Sequence, residues 1–239
     1  MAYYVLGSRV LAQGKRGRDV ELLRDKLERI PLFPVLPVRR RDFFGADLTR
    51  AVQQLQRCFQ LEADGVVGRE TYRLFGLEVD EYWPSSLPPL GMRSVRQGMQ
   101  GRDVRILQNR LGAFSGALAQ MMARETPGTF GEGTRQALAA FQKETGLRAT
   151  GVLNPEGCWM LDRRTDFGNR RLQYGRSGHD CGCDVFFLQE RLREKGLLAK
   201  EATGFFDPET QAAVRELQKA RGLPPDGIVQ GKTFWLFGR

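Results

Sequence analysis

The stretch Phe130-Gly-Glu-Gly-Thr-Arg-Gln-Ala-Leu138 reveals the architecture, because two others repeat its pattern: Phe44-Gly-Ala-Asp-Leu-Thr-Arg-Ala-Val52 and Phe206-Asp-Pro-Glu-Thr-Gln-Ala-Ala-Val214. Counted from each Phe, a Gln stands twelve places on (Gln56, Gln142, Gln218) and a Gly twenty-one places on (Gly65, Gly151, Gly227). An apolar residue follows at thirty (Leu74, Met160, Leu236). Three equal spacings in three copies mark a tandem array, so any function must suit a module used three times.

A helix is expected after each Gly-x-x-Gly turn. Val20, Leu23 and Leu27 recur as Val104, Leu107, Leu111 and as Val185, Leu188, Leu192, an i, i+3, i+7 pattern that forms one apolar face. Asp19, Asp103 and Asp184 stand just before these faces and read as N-caps. A second helix carries Ala51, Val52, Leu55, then Ala137, Leu138, Phe141, then Ala213, Val214, Leu217, with Asp207-Pro208 as a capped start in the third copy. Turns at Asp64-Gly65, Thr150-Gly151 and Asp226-Gly227 lead into a short third helix. The expected fold is all-α, three small three-helix modules in tandem. The first occupies 1–78, a Pro-rich linker 79–92, the second module 93–165 and the third 166–239, which carries a Cys-Gly-Cys insertion. The spacing from Asp to Phe varies, 25 positions for Asp19 to Phe44, 27 for Asp103 to Phe130 and 22 for Asp184 to Phe206, as befits a tolerant loop.

Over 239 residues, 37 Lys and Arg oppose 28 acids, giving a net charge of +9. Such a surface favours polyanions, whether nucleic acid, acidic lipid or an anionic wall polymer. No recognition motif for nucleic acid is visible, and no apolar run approaches the roughly 20 residues of a membrane span. The N-terminal stretch lacks the basic start and apolar core of a secretory signal, so export by that route is not expected.

The order Gly-x-x-Gly-x-Asp-Val, Leu-Gln, Phe-Gly-x-x-Thr-x-x-Ala, Phe-Gln and Asp-Gly resembles the peptidoglycan-binding domain found beside bacterial cell-wall hydrolases. Copy two supplies Gly98, Gly101, Asp103, Val104, Leu107, Gln108, Phe130, Gly131, Thr134, Ala137, Phe141 and Gln142; copy three supplies Leu188, Gln189, Thr210, Ala213, Val214, Gln218, Asp226, Gly227 and Thr233. Copy one departs most, with Leu48 for Thr and Arg24 for Gln, while copy two has Thr150 for Asp and Gly157 for Thr, and copy three has Gln230 for Gly. The resemblance implies non-covalent binding of peptidoglycan, through glycan or stem peptide, by several weak modules. It also implies a place in the cell wall or spore envelope, with a cell-wall hydrolase or envelope protein as a further partner. A protein interaction scaffold that reuses the fold is the alternative.

The candidate ligand-binding residues are Phe130, Thr134 and Gln142, Phe206, Thr210 and Gln218, and Trp235. A Phe at a helix entry equally suits a core plug, and a Thr or Gln a closed turn. Trp159 and Trp235 suit either stacking on a sugar ring or burial. His179, Asp180, Cys181 and Cys183 crowd one loop, but zinc sites place two to four residues between paired cysteines, so no metal or other cofactor is expected. Three small bundles leave no cleft to hold paired carboxylates at a catalytic separation, so the chain is expected to be no enzyme.

Overall fold

The computed structural model describes residues 5–33, 39–77, 90–91, 93–175 and 180–238. Most of the linker at 79–92, together with His179, lies outside these residues. The described residues are helical and carry no extended strand. Repeat one contributes α1 (Arg18–Glu28), α2 (Ala46–Cys58) and α3 (Arg69–Leu74). Repeat two contributes α4 (Arg102–Phe114), α5 (Gly116–Met121), α6 (Glu132–Glu144) and α7 (Pro155–Arg164), and repeat three α8 (Cys183–Glu194), α9 (Pro208–Ala220) and α10 (Lys232–Trp235). The additional short helix α5 fills the longest Asp-to-Phe connection and is capped by the Ser115 hydroxyl, which accepts from the Ala117 amide.

The apolar stripes lie where the periodicity puts them. Val20, Leu23 and Leu27 of α1, Val104, Leu107 and Leu111 of α4, and Val185, Leu188 and Leu192 of α8 are fully buried, as are Phe44, Phe130 and Phe206 at the entries to the second helices. Burial of such side chains is the main source of stability in modules this small. Isolated antiparallel bridges tie the irregular segments together: Leu11 to Val67, Val95 to Leu153 and Leu172 to Val229 in one series, Arg16 to Phe43, Gln100 to Thr129 and Cys181 to Phe205 in the other. Each repeat is therefore closed twice by the same short backbone pairings.

The aspartates are not N-caps, which corrects the sequence reading. Gly17, Gly101 and Gly182 hold that position with φ of 151°, 145° and 139°, a region that favours residues without a Cβ. The carboxylates sit inside the first turn, where each accepts the amide of the next residue, Val20, Val104 or Val185, at 3.0–3.1 Å, and two of them also serve as buried counter-ions. Arg9 grips Asp19 with two hydrogen bonds of 2.8 and 2.9 Å, and Arg170 grips Asp184 at the same two distances.

The helices assort into two compact units that cut across the repeats. Met1–Ser94 with Asn154–Arg163 form one, and Val95–Leu153 with Arg164–Arg239 the other. In the first unit, repeat one is joined by nearly all of α7. In the second, the remainder of repeat two packs with repeat three, where α10 lies on α4.

The departures of repeat one turn out to be coupled. In repeats two and three the first-helix Gln donates to a Thr hydroxyl on the second helix, Gln108 to Thr134 and Gln189 to Thr210, each at 3.0 Å. The same amide reaches a backbone carbonyl, Thr129 or Phe205, at 2.9 Å. In repeat one Arg24 takes the place of the Gln. It keeps the carbonyl contact through Phe43 at 3.3 Å and replaces the hydroxyl contact by an ion pair to Asp47 at 2.5 Å, so Leu48 can stand where Thr stood. Burial alone would raise the Asp47 pKa, but the Arg24 guanidinium and the Leu48 amide hold it below its ordinary value of 3.8.

The Arg24 side chain is fully buried, so Arg24→Gln alone strands Asp47 and is expected to cost roughly 3 kcal/mol in denaturant unfolding. Adding Leu48→Thr rebuilds the Gln to Thr pair and should recover part of that loss. Because the folded-state pKa of Asp47 is depressed, its contribution is complete above the unfolded value and fades as the pH falls through the folded one. Thermal unfolding between pH 5 and 2 should therefore show a shallower acid loss in Asp47→Asn than in the parent, with both measured on the same pH steps as a rough screen of this region.

Candidate functional site

The site begins with a buried carboxamide. Gln56, Gln142 and Gln218 lie on the second helices and are buried to within 2% of complete. Each accepts, through Oε1 at 2.9 Å, the amide of the turn glycine, Gly65, Gly151 or Gly227. Each also donates from Nε2 to the carbonyl just past the turn, Val66 at 3.0 Å, Val152 at 2.9 Å or Ile228 at 3.1 Å. In repeats one and three the amide reaches further to Asp64 and Thr71, or to Asp226 and Thr233. In repeat two Thr150 substitutes for the Asp, accepting from Gln142 at 3.3 Å and from the Val152 amide at 3.2 Å. With Gly157 in place of the Thr, the Asn154 side chain accepts from the Gly157 amide at 2.7 Å. The clamp thus survives the substitutions.

The other sequence candidates take part in the same interior. Phe130 and Phe206 are core plugs, 1% and 0% exposed. Thr134 is buried; its hydroxyl accepts from Gln108 and donates to Glu125, whose carboxylate also accepts from the Gly133 and Thr134 amides at 2.6 and 3.0 Å. Thr210 does the same in repeat three with Gln189 and Asp207. Glu125, which follows α5, reaches back to do for α6 what the N-cap Asp207 does for α9. Trp235 is half-buried, its indole lying on α4 at Gly112. Six of the seven candidates therefore shape the module from within. All four cysteines are free thiols, and burial pushes that of Cys181 up, away from the reactive thiolate.

What the clamps expose to solvent is a set of rigid polar turns. In the second unit, the turn before α4 and the approach to Phe130 enclose an open depression of about 460 Å³, lined by Gln100, Arg102, Arg105, Gly128 and Thr129. The Gln108 side chain fixes its floor by accepting the Gly128 amide at 2.8 Å. Partial burial, and the like charge of Arg105, push the Arg102 guanidinium below its usual pKa, so an anion placed between the two would relieve their repulsion. In the first unit a depression of about 380 Å³ flanks the Asp64-Gly65 turn, where Glu62, Asp64 and Glu70 surround Arg69. The Gly-x-x-Gly spacing marks the first of these turns in the sequence; the arginines that line it carried no signal of their own.

Repeated helical modules with shallow, polar, rigid turns define a tandem-repeat binding protein. The chain belongs to the family described as Putative peptidoglycan binding domain, which matches at residues 16–75, 100–156 and 182–234. It is 34% identical over 138 residues to the N-acetylmuramoyl-L-alanine amidase CwlM of Mycobacterium tuberculosis, covering 54% of this chain and 30% of that one. It is 26% identical over 190 residues to a probable N-acetylmuramoyl-L-alanine amidase of Bacillus licheniformis, covering 73% and 51%. With a spore cortex-lytic enzyme of Bacillus cereus it shares 39% identity over 67 residues, 28% of this chain and 24% of the relative. The matched region spans between a quarter and a half of these relatives.

Replacing Gln218 by Leu removes both halves of one clamp and leaves the buried Gly227 amide and the half-buried Ile228 carbonyl without that partner. The expected loss is roughly 2–4 kcal/mol, read by denaturant unfolding, with the turn at 226–228 gaining amide exchange first.

Proposed function

We propose that the chain is a non-catalytic adhesion protein that holds bacterial cell-wall peptidoglycan through several weak modules. The observation that carries this reading is the threefold family match, which takes in the body of all three repeats. The relatives named for wall amidases and for a cortex-lytic enzyme join such regions to further sequence, which suits a targeting part that brings a protein to its polymer and leaves the chemistry elsewhere. A wall or spore-envelope location follows from the same reading.

Recognition by shallow sites calls for charge and hydrogen bonding more than enclosure. The depression beside Arg102 and Arg105 suits the carboxylates of stem peptides or the phosphates of wall polymers, since guanidinium pairs with both in a fork. When two modules engage one polymer, the second event becomes intramolecular and weak affinities combine.

Co-sedimentation with purified, insoluble peptidoglycan tests the reading. The chain should be retained at moderate salt, and Arg102→Glu with Arg105→Glu should weaken retention by roughly tenfold, the equivalent of about 1.4 kcal/mol. Absence from the pellet at moderate salt, or release of soluble muropeptides by the chain alone, overturns the proposal; capture by an envelope protein in place of the wall points to the scaffold reading.

A further inference from the structure

Twenty-nine residues after its Phe, repeat two carries Trp159 and repeat three Trp235. Both lie on third helices, and both rest on the first helix of the repeat before. In the first unit Trp159 is 7% exposed and donates from Nε1 to the Arg18 carbonyl of α1 at 3.1 Å. The guanidinium of Arg18 lies 4.8 Å from its ring and that of Arg163 5.2 Å, and Arg163 is anchored in turn to Asp25 of α1 at 3.1 Å. The adjoining Cys158 is seated so closely on Gly91 that a Cβ there would come within 2.4 Å of its sulfur.

In the second unit Trp235 lies on α4 where Gly112 leaves room for it. A Cβ on Gly112 would fall 2.1 Å from the indole Cδ1, and one on Gly238 would fall 2.7 Å from the Gly112 carbonyl. The Trp235 Nε1 is buried without an acceptor, unlike that of Trp159. The two indoles thus meet their helices at opposite ends, Trp159 at the start of α1 and Trp235 near the end of α4. The equivalent residue of repeat one is Arg73, exposed and paired with Glu70 at 2.9 Å.

We propose that the Trp-bearing face of the third helix is a docking surface whose partner is the first helix of the preceding repeat, so that a repeat reaches its full stability only with the third helix of the next one in place. The position is aromatic in the two repeats that dock backwards and charged in repeat one, where Arg73 faces solvent while the rest of α3 is largely buried. The Trp159 indole is consequently engaged within the chain and that of Trp235 is half-covered by α4, so that, on the proposed function, wall recognition falls chiefly to the turns.

A double-mutant cycle in the full chain tests this, with thermal unfolding and tryptic cleavage near 163–171 as readouts. Trp235→Ala should lower the melting temperature by several degrees and quicken cleavage, and Gly112→Ala should do the same in the parent but add little once Trp235 is Ala. The Phe variants should part company: Trp159→Phe loses the bond to the Arg18 carbonyl and is destabilised, whereas Trp235→Phe removes an orphaned donor and is neutral or stabilising. A Gly112→Ala cost that is unchanged by Trp235→Ala, or a Trp159→Ala chain as stable as the parent, overturns the proposal, whatever the outcome of the sedimentation with peptidoglycan.

Discussion

A carboxamide placed in an apolar interior must satisfy a donor and an acceptor at once, and a backbone turn offers both at a fixed separation. Gln56, Gln142 and Gln218 meet that demand in the same way, taking the amide of a glycine and giving to a carbonyl close beyond it. The second helix and the turn are thereby locked to each other, and the short third helix starts from a defined point. A module of this size has little apolar surface to spare, so a polar clamp that cannot be satisfied any other way selects one arrangement out of the compact alternatives.

The same constraint explains which substitutions the repeats tolerate. A residue in the clamp changes only together with what it touches. Arg24 comes with Asp47 and releases position 48 from carrying a hydroxyl; Thr150 comes with Gly157 and with Asn154 as a local cap. Repeat two has no Asp at the place of Asp207 and draws Glu125 from the end of its longer connection to cap α6. These exchanges alter the interior and leave the outline of the turns, so departure from the family pattern in repeat one is a statement about its core. The surface that meets a ligand varies separately, with Arg102 and Arg105 on one turn and a mostly acidic ring around Arg69 on another.

The helices and the turns were legible in the sequence because their signals are local: a 3.6-residue period, a Gly with positive φ, an Asp-Gly pair. The repeat also gave away its own structural residues, since the Phe and Gln that recur in all three copies, and the Thr that recurs in two, are what the fold needs, and that is why six of the seven candidate ligand residues lie inside. Asp19 and Asp184 do accept a first-turn amide, as an acid near a helix start suggests, but their second role as counter-ions depends on the positions of Arg9 and Arg170, which no local pattern shows. The seating of Trp159 on α1 joins residues 141 apart, and no local pattern carries that information. Helix α5 was hidden for the opposite reason, being a single short element of moderate propensity in a loop whose length alone was visible.

Sugar-binding surfaces generally rely on aromatic faces, and among the described residues those faces are scarce. Among the described residues the exposed large apolar side chains are Val10, Leu32, Met121 and Tyr174, of which one is aromatic. Trp159 is covered, and Trp235 is half-covered by α4. On the proposed reading, recognition therefore falls to guanidinium groups and backbone amides presented by rigid turns on a chain of net charge +9. Interactions of that kind are individually weak in water and weaken further with salt. Repetition is the remedy the sequence supplies: a polymer that presents the same carboxylates at regular intervals can be held by several poor sites where one would let go.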